Sequence, residues 1–338
     1  MNLHISQIRA ITTGAVRIEQ IDNAIHFFRF TKEQEELYKH RLDDFYMKSF
    51  STSGIQIRFR TNSQTLFLKT EITRGSSRTY FAFDVFVGGK KIGSLDNFEN
   101  VHLPQNYTTI DLPHGLFSKK FDLGQGDKEV CVYFPWSAKA VLRELTLDDE
   151  SWVIPSKPGK KMLCFGDSIT QGYDALYPSN KYITKLADVL DAEEYNKAIG
   201  GERFFPELAA AKDDFQPDYI IVSYGTNDWC HGTQEEFVRN CRAFFCNLKN
   251  SYPDARIFVI TPIWRKDMLE YATCGRFENL PERIESLVAD LENVSVIRGF
   301  VFVPQKEELF ADQRLHPNDE GFTYYFENLW KQIKALTR

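Results

Sequence analysis

From residue 161 onward, short apolar runs alternate strictly with helix-length segments. The runs occupy residues 161–165, 194–196, 219–223, 256–260 and 294–297. Helical patterning falls at 181–190, 204–211, 234–250 and 278–291, and an amphipathic segment at 319–335 has Asn318 placed to cap it. Strands that alternate with helices must cross over to pair side by side, which demands a parallel sheet covered on both faces. The expected fold is α/β: a three-layer α/β/α, flavodoxin-like domain of about five parallel strands.

The first 150 residues follow another rhythm. In Ile55-Gln56-Ile57-Arg58-Phe59-Arg60 apolar side chains take alternate positions, the mark of a half-buried strand. Runs at 64–73, 80–87, 129–134 and 140–147 repeat the theme, and Gly88-Gly89 supplies a tight hairpin before Lys90. Residues 32–39 read as a helical interruption. Many short strands joined by turns predict an all-β sandwich of jelly-roll type. The Pro/Gly/Lys-rich stretch after Trp152 reads as a surface connector. The expected organisation is a β-sandwich domain over 1–153, a linker over 154–161 and an α/β domain over 162–338, two domains suiting 338 residues.

Composition excludes several classes of partner. A net charge of −6 gives no basic face for nucleic acid or an anionic membrane surface. No apolar run approaches the ~18 residues needed to span a bilayer. The N-terminus shows no basic segment followed by an apolar one, so no secretory leader is read and a cytoplasmic location is expected. The six cysteines are scattered without metal-ligand spacing, which reads as free thiols. No metal and no cofactor is expected; Cys230-His231 lacks a second ligand cluster.

Candidate chemistry lies where a parallel sheet presents its carboxyl edge. After the first run, Gly166-Asp167-Ser168 turns the chain and puts a serine at that edge. After the second, Asn196-Lys197-Ala198-Ile199-Gly200-Gly201 offers a backbone N–H that a ligand can approach closely. After the third, Tyr224-Gly225-Thr226-Asn227-Asp228 supplies a side-chain amide. Before the last helix, Asp312-Gln313-Arg314-Leu315-His316-Pro317 carries an imidazole that Pro317 keeps on extended backbone.

These four stretches, in this order, resemble the four blocks of the SGNH (GDSL) hydrolase family over roughly residues 160–337. The resemblance implies Ser168 as nucleophile and His316 as general base. It implies an oxyanion hole from the N–H groups of Ser168 and Gly201 and the side chain of Asn227. One departure stands out. The family places an aspartate three residues before the histidine, where this chain has Gln313, with Asp312 one residue further back. Either the loop bulges and Asp312 still orients His316, or a backbone carbonyl or Gln313 takes that place. Trp229 and Trp264, which follow the third and fourth runs, are candidates for the substrate pocket or for the core.

A sandwich ahead of an SGNH domain is similar to the arrangement of carbohydrate esterase family 2. The resemblance therefore implies removal of O-acetyl groups from carbohydrate, with acetylated oligosaccharides as the partner substrates and homo-oligomerisation left open. A short-chain acyl thioesterase or a lysophospholipase would use the same machinery. An inactive carbohydrate-binding protein is the alternative from another class.

Overall fold

In the computed structural model, which describes residues 1–270 and 274–336, the later apolar runs form one parallel sheet. Its strands are Lys160–Gly166, Ala192–Asn196, Tyr219–Ser223, Arg256–Ile260 and Val294–Ile297. Numbered along the chain, they lie in the order 2-1-3-4-5, every neighbouring pair parallel. Successive side chains of a strand point to opposite faces, and each face opens onto its own core. Met162, Cys164, Ile221 and Phe258 pack with helices Tyr182–Val189 and Asp319–Leu336. Leu163, Phe165, Ile220 and Ile257 pack with Gln234–Ser251 and Leu280–Val288 on the other side. Asn318 caps the last helix, its side chain accepting the Gly321 N–H at 2.9 Å. The strand order reverses between strands one and three, so the loops leaving those strands border a crevice at the carboxyl edge.

Ahead of this sheet stand two antiparallel sheets. One contains Gln56–Thr61, Lys128–Tyr133, Ala82–Val87 and Lys90–Asp96 in that spatial order. Val153–Pro155 pairs with Gln56–Thr61. The other runs Arg17–Ile21, Ala24–Phe28, Ala138–Leu147, Thr65–Arg74 and Gly115–Asp122. Ile57, Phe59, Val130 and Val132 of the first meet Leu66, Leu68, Leu142 and Leu145 of the second in a shared core. This part is not all-β. Helices Ile5–Ile11, Lys32–Arg41 and Asp43–Ser49 interrupt it. Ile8 and Ile11, three apart, fall on one helical face and are both buried. Two of these helices have seven residues, too short for a clear period in the sequence.

Side chains from this first part run deep into the second. Tyr80 and Trp136 join the core of Tyr173 and Tyr182, and Phe30 and Tyr38 join that of Phe204 and Tyr224. All six cysteines are unpaired. Among the described residues no helix is long and apolar enough to cross a membrane.

Candidate active site

The strand-to-helix turn that carries Ser168 tolerates only glycine at its start. A Cβ on Gly166 would lie 2.5 Å from the Thr170 hydroxyl and 2.8 Å from the Ser223 carbonyl oxygen. Asp167 then caps the short helix Ser168–Gln171, its carboxylate accepting the Ile169 N–H at 3.0 Å. Burial pushes the Asp167 carboxyl up to about 6. Ser168 points its hydroxyl at His316, with Oγ 2.8 Å from Nε2.

The extra residue before His316 is absorbed by a bulge. Gln313 adopts φ 56°, the left-handed region, and donates its N–H to the Phe310 carbonyl at 2.9 Å. Asp312 Oδ1 accepts the N–H groups of Arg314, Leu315 and His316 at 3.0, 2.7 and 3.0 Å. Its other oxygen reaches His316 Nδ1 at 2.9 Å. Burial opposes ionisation of Asp312. The hydrogen bond and charge of His316, with the backbone N–H groups, outweigh it and hold the carboxyl well below the usual range. An ionised carboxylate can only accept, so Nδ1 carries the ring proton and Nε2 is left to accept from the serine hydroxyl. The three side chains therefore form one unbroken hydrogen-bonded line.

The donor side of the site is built from two further loops. Residues 199–202 close a turn in which Glu202 N–H donates to the Ile199 carbonyl at 3.0 Å. Gly201, the third residue of that turn, has φ 90°, which a side chain would strain. Asn227 lies in the first turn of the helix Thr226–His231 after strand three, and its Nδ2 donates to the Glu202 carbonyl at 3.0 Å. Gly200 N–H donates to Gln171 Oε1 at 2.7 Å, tying this loop to the Ser168 helix. The N–H of Ser168, first in its helix, has no intrahelical acceptor. Ser168, Gly201 and Asn227 are thus anchored to one another's loops at the same sheet edge.

Much of the support comes from residues that the sequence does not single out. Buried Arg29 donates to the carbonyls of Asn196, Ala198, Lys48 and Ser51 at 2.6, 3.1, 3.1 and 2.7 Å. Lys48 donates to the Gly200 carbonyl at 2.9 Å. The Glu202 carboxylate accepts from Tyr38 and Tyr224 at 3.0 and 3.2 Å and pairs with Arg41 at 3.0 Å. Burial pushes that carboxyl up to about 7. His316 also meets a second carboxylate, Asp174 Oδ2, 3.3 Å from Nδ1.

The two tryptophans part company. Trp229 is 2% exposed, gives its indole N–H to the Gly275 carbonyl at 2.7 Å and packs edge-on against Phe277. It belongs to the core and offers no face to a ligand, because its ring continues the apolar layer under the third strand. Trp264 is half-buried against Phe310, in the segment that leads into the Asp312–His316 loop.

Asp228, next to Asn227, gives a test of how this edge is balanced. Its Oδ1 accepts the Phe204 N–H at 3.3 Å, while Oδ2 is buried without a partner. Burial pushes the carboxyl up to about 7. Between its unfolded value of about 4 and that raised value, the native state holds a proton the unfolded chain has released, so stability falls as pH rises. Asp228→Asn keeps the acceptor and removes the titration. Thermal denaturation from about pH 5 to about pH 8 is expected to show a flatter decline for the variant. Equal slopes would refute the assignment.

Comparison with known proteins agrees with this geometry. Residues 164–323 match the GDSL-like Lipase/Acylhydrolase family model. That segment is a GDSL-like lipase/acylhydrolase domain. A GDSL esterase/lipase of Arabidopsis thaliana is 29% identical over 147 residues, 37% of this chain and 59% of that protein. The GDSL domain and the sheets before it together share the fold of larger structures. The salicylyl-acyltransferase SsfX3 from a tetracycline biosynthetic pathway superposes with a TM-score of 0.80 at 19% identity, covering 96% of this chain and 94% of that one. A family two carbohydrate esterase from Cellvibrio japonicus gives 0.64 at 16% identity, covering 96% and 95%. The likeness therefore extends beyond the GDSL domain to the antiparallel sheets.

Proposed function

We propose that the protein is a serine esterase that removes O-acetyl groups from carbohydrate, with acetylated oligosaccharides as its substrates. The line Ser168 Oγ–His316 Nε2, 2.8 Å, and His316 Nδ1–Asp312, 2.9 Å, carries the reading. As Oγ attacks the acetyl carbon, Nε2 takes the hydroxyl proton and Asp312 stabilises the imidazolium that forms. The carbonyl oxygen becomes an oxyanion facing the N–H groups of Gly201 and Ser168 and the Asn227 amide, each donor worth about 10²–10³ in rate. Collapse breaks the bond to the sugar oxygen, which takes the proton back from His316. Water, deprotonated by the same ring, then releases acetate and regenerates Ser168.

The carbohydrate half of the reading rests on architecture. We read residues 1–153 as a jelly-roll-like domain preceding the catalytic one, the arrangement that the resemblance to carbohydrate esterase family 2 implies; the superposition on a family two carbohydrate esterase over 96% of this chain supports the reading. Trp264 supplies an aromatic face beside the catalytic loop, suited to stacking on a sugar ring. Six unpaired cysteines suit a reducing compartment, which we take to be the cytoplasm. The likeness to SsfX3 favours a second reading, in which the same acyl-enzyme passes its group to an alcohol instead of water.

Nitrophenyl esters of increasing acyl length, together with acetate release from acetylated oligosaccharides, test the proposal. Fastest turnover on the acetyl ester and free acetate from the oligosaccharide are expected. Activity that persists undiminished to long chains would favour a lysophospholipase, and turnover that appears only with an added alcohol would favour transfer.

A further inference from the structure

The ring of His316 lies between two carboxylates, and only one of them belongs to its own loop. Nδ1 is 2.9 Å from Asp312 Oδ2 and 3.3 Å from Asp174 Oδ2. Asp174 follows the Ser168 helix and is 0% exposed. Arg78 grips it with two parallel bonds, Nε to Oδ1 at 2.7 Å and Nη2 to Oδ2 at 2.9 Å. Tyr80 donates its hydroxyl to Oδ1 at 2.6 Å, and Tyr107 donates to the Asp174 carbonyl at 2.6 Å. All three clamping residues come from the antiparallel part of the chain. Asp174 is also held at φ 74°, a left-handed backbone that a non-glycine residue keeps only where its surroundings enforce it. Tyr173 lies against the His316 ring, centroids 5.6 Å apart, with Arg78 on the same tyrosine at 5.4 Å.

We propose that Asp174 is a positioning residue, a second carboxylate that faces His316 Nδ1 beside the hydrogen-bonded Asp312 and is fixed in place by Arg78. The antiparallel sheets then complete the catalytic site, besides any part they take in binding. The proposal rests on the esterase reading of Ser168 and His316. A carboxylate at Nδ1 holds the productive tautomer and favours the imidazolium. Arg78 fixes Asp174 through a rigid, bidentate fork. Asp174, Asp312 and His316 also bring three metal-ligating atoms within 4.8 Å of one another, but the Arg78 guanidinium already supplies Asp174 with its positive partner.

Two carboxylates at one ring nitrogen predict redundancy. With nitrophenyl acetate and the full chain, Asp312→Asn alone should lower kcat by about 10–100-fold, against the ~10⁴-fold typical where one aspartate acts alone. Asp174→Asn should cost about tenfold, and the double variant about 10⁴-fold, more than the product of the single losses, with KM held throughout. The groups facing the ring are Asp312, Asp174, Ser168 and Tyr173, with Arg78 and Asp167 behind them. Removing one carboxylate should therefore move the acid limb of kcat/KM to lower pH, which a purely structural role for Asp174 would not do. Arg78→Lys keeps the charge but loses the fork, and should lower kcat severalfold with KM unchanged. The proposal is overturned if Asp312→Asn alone costs ~10⁴-fold while Asp174→Asn leaves kcat and the acid limb unmoved. Should Asp174→Asn fail to fold, an Arg78→Lys enzyme with parental kcat overturns it equally. A parent protein that neither turns over the ester nor reacts with a fluorophosphonate would instead remove the esterase reading beneath it.

Discussion

Ser168→Ala is expected to lower turnover of nitrophenyl acetate by about 10⁶-fold, the loss typical of a deleted serine nucleophile. Ser168 is buried, but the variant's melting temperature should fall by no more than about 2–4 °C, because the change removes one hydrogen bond worth about 0.5–1.5 kcal/mol net. The two expectations separate because the side chain and the backbone of Ser168 do different jobs. The hydroxyl's partner is His316 Nε2, an atom at the edge of a half-buried ring that water can satisfy once the hydroxyl is gone. The fold uses the serine carbonyl instead, which accepts the N–H groups of Gly172 and Tyr173 at 3.0 and 2.9 Å, and alanine keeps both bonds. A serine-directed fluorophosphonate should label the parent and leave the variant unlabelled. If the variant retained more than about a hundredth of the activity, another nucleophile would be at work; a large drop in melting temperature would make Ser168 structural.

What the sequence made legible was local. The periods of the strands and helices after residue 160 are short-range patterns, and they place Ser168, Gly201, Asn227 and His316 after the proper elements without any knowledge of packing. The helix Lys32–Arg41 likewise declares itself through Thr31 and Gln34, which cap each other at its start. Helix Ile5–Ile11 gives no such sign. His4 stands at its cap in place of Ser, Thr, Asp or Asn, though Gln7 does accept the His4 N–H. The Asp312–His316 spacing stayed open because it turns on the φ angle of Gln313, and glutamine is not a residue that advertises a left-handed turn. The clamp residues were invisible for another reason. Arg78 and Asp174 are 96 residues apart, and Arg29 and Ala198 169 apart. Only the docking of the antiparallel sheets on the parallel one makes them neighbours. Trp229 shows the converse limit: its position beside Asn227 and Asp228 left pocket wall and core equally open, and helical rotation within Thr226–His231 turns its side chain inward.

Lys197→Met is expected to destabilise the fold by about 3–5 kcal/mol, the usual effect of removing one partner of a buried ion pair. Lys197 and Asp213 are both 0% exposed and meet at 2.7 Å. The ammonium also donates to the Arg29 carbonyl at 2.6 Å and to Gln34 Oε1 at 2.9 Å, so all three of its protons are used. Burial pushes the ammonium's pKa down; the charge and hydrogen bond of Asp213 are the main opposition, with a smaller contribution from Glu35. Methionine fills much of the same volume but leaves the Asp213 carboxylate in the interior, with a 3.5 Å bond from the Tyr252 hydroxyl as its remaining side-chain partner. The damage should therefore come from the stranded charge more than from lost packing. Adding Asp213→Asn to Lys197→Met neutralises that charge and should recover at least half of the loss in chemical denaturation. A double variant as unstable as Lys197→Met would mean that the bonds to Arg29 and Gln34, and not the ion pair, hold the segment. Activity should be lost before the fold melts. Lys197 lies four residues ahead of Gly201, and the same Arg29 whose carbonyl it holds donates to the carbonyls of Asn196 and Ala198 on either side of it. Loosening this crossing frees the loop that must present the Gly201 N–H, so kcat should fall at temperatures where the variant is still folded.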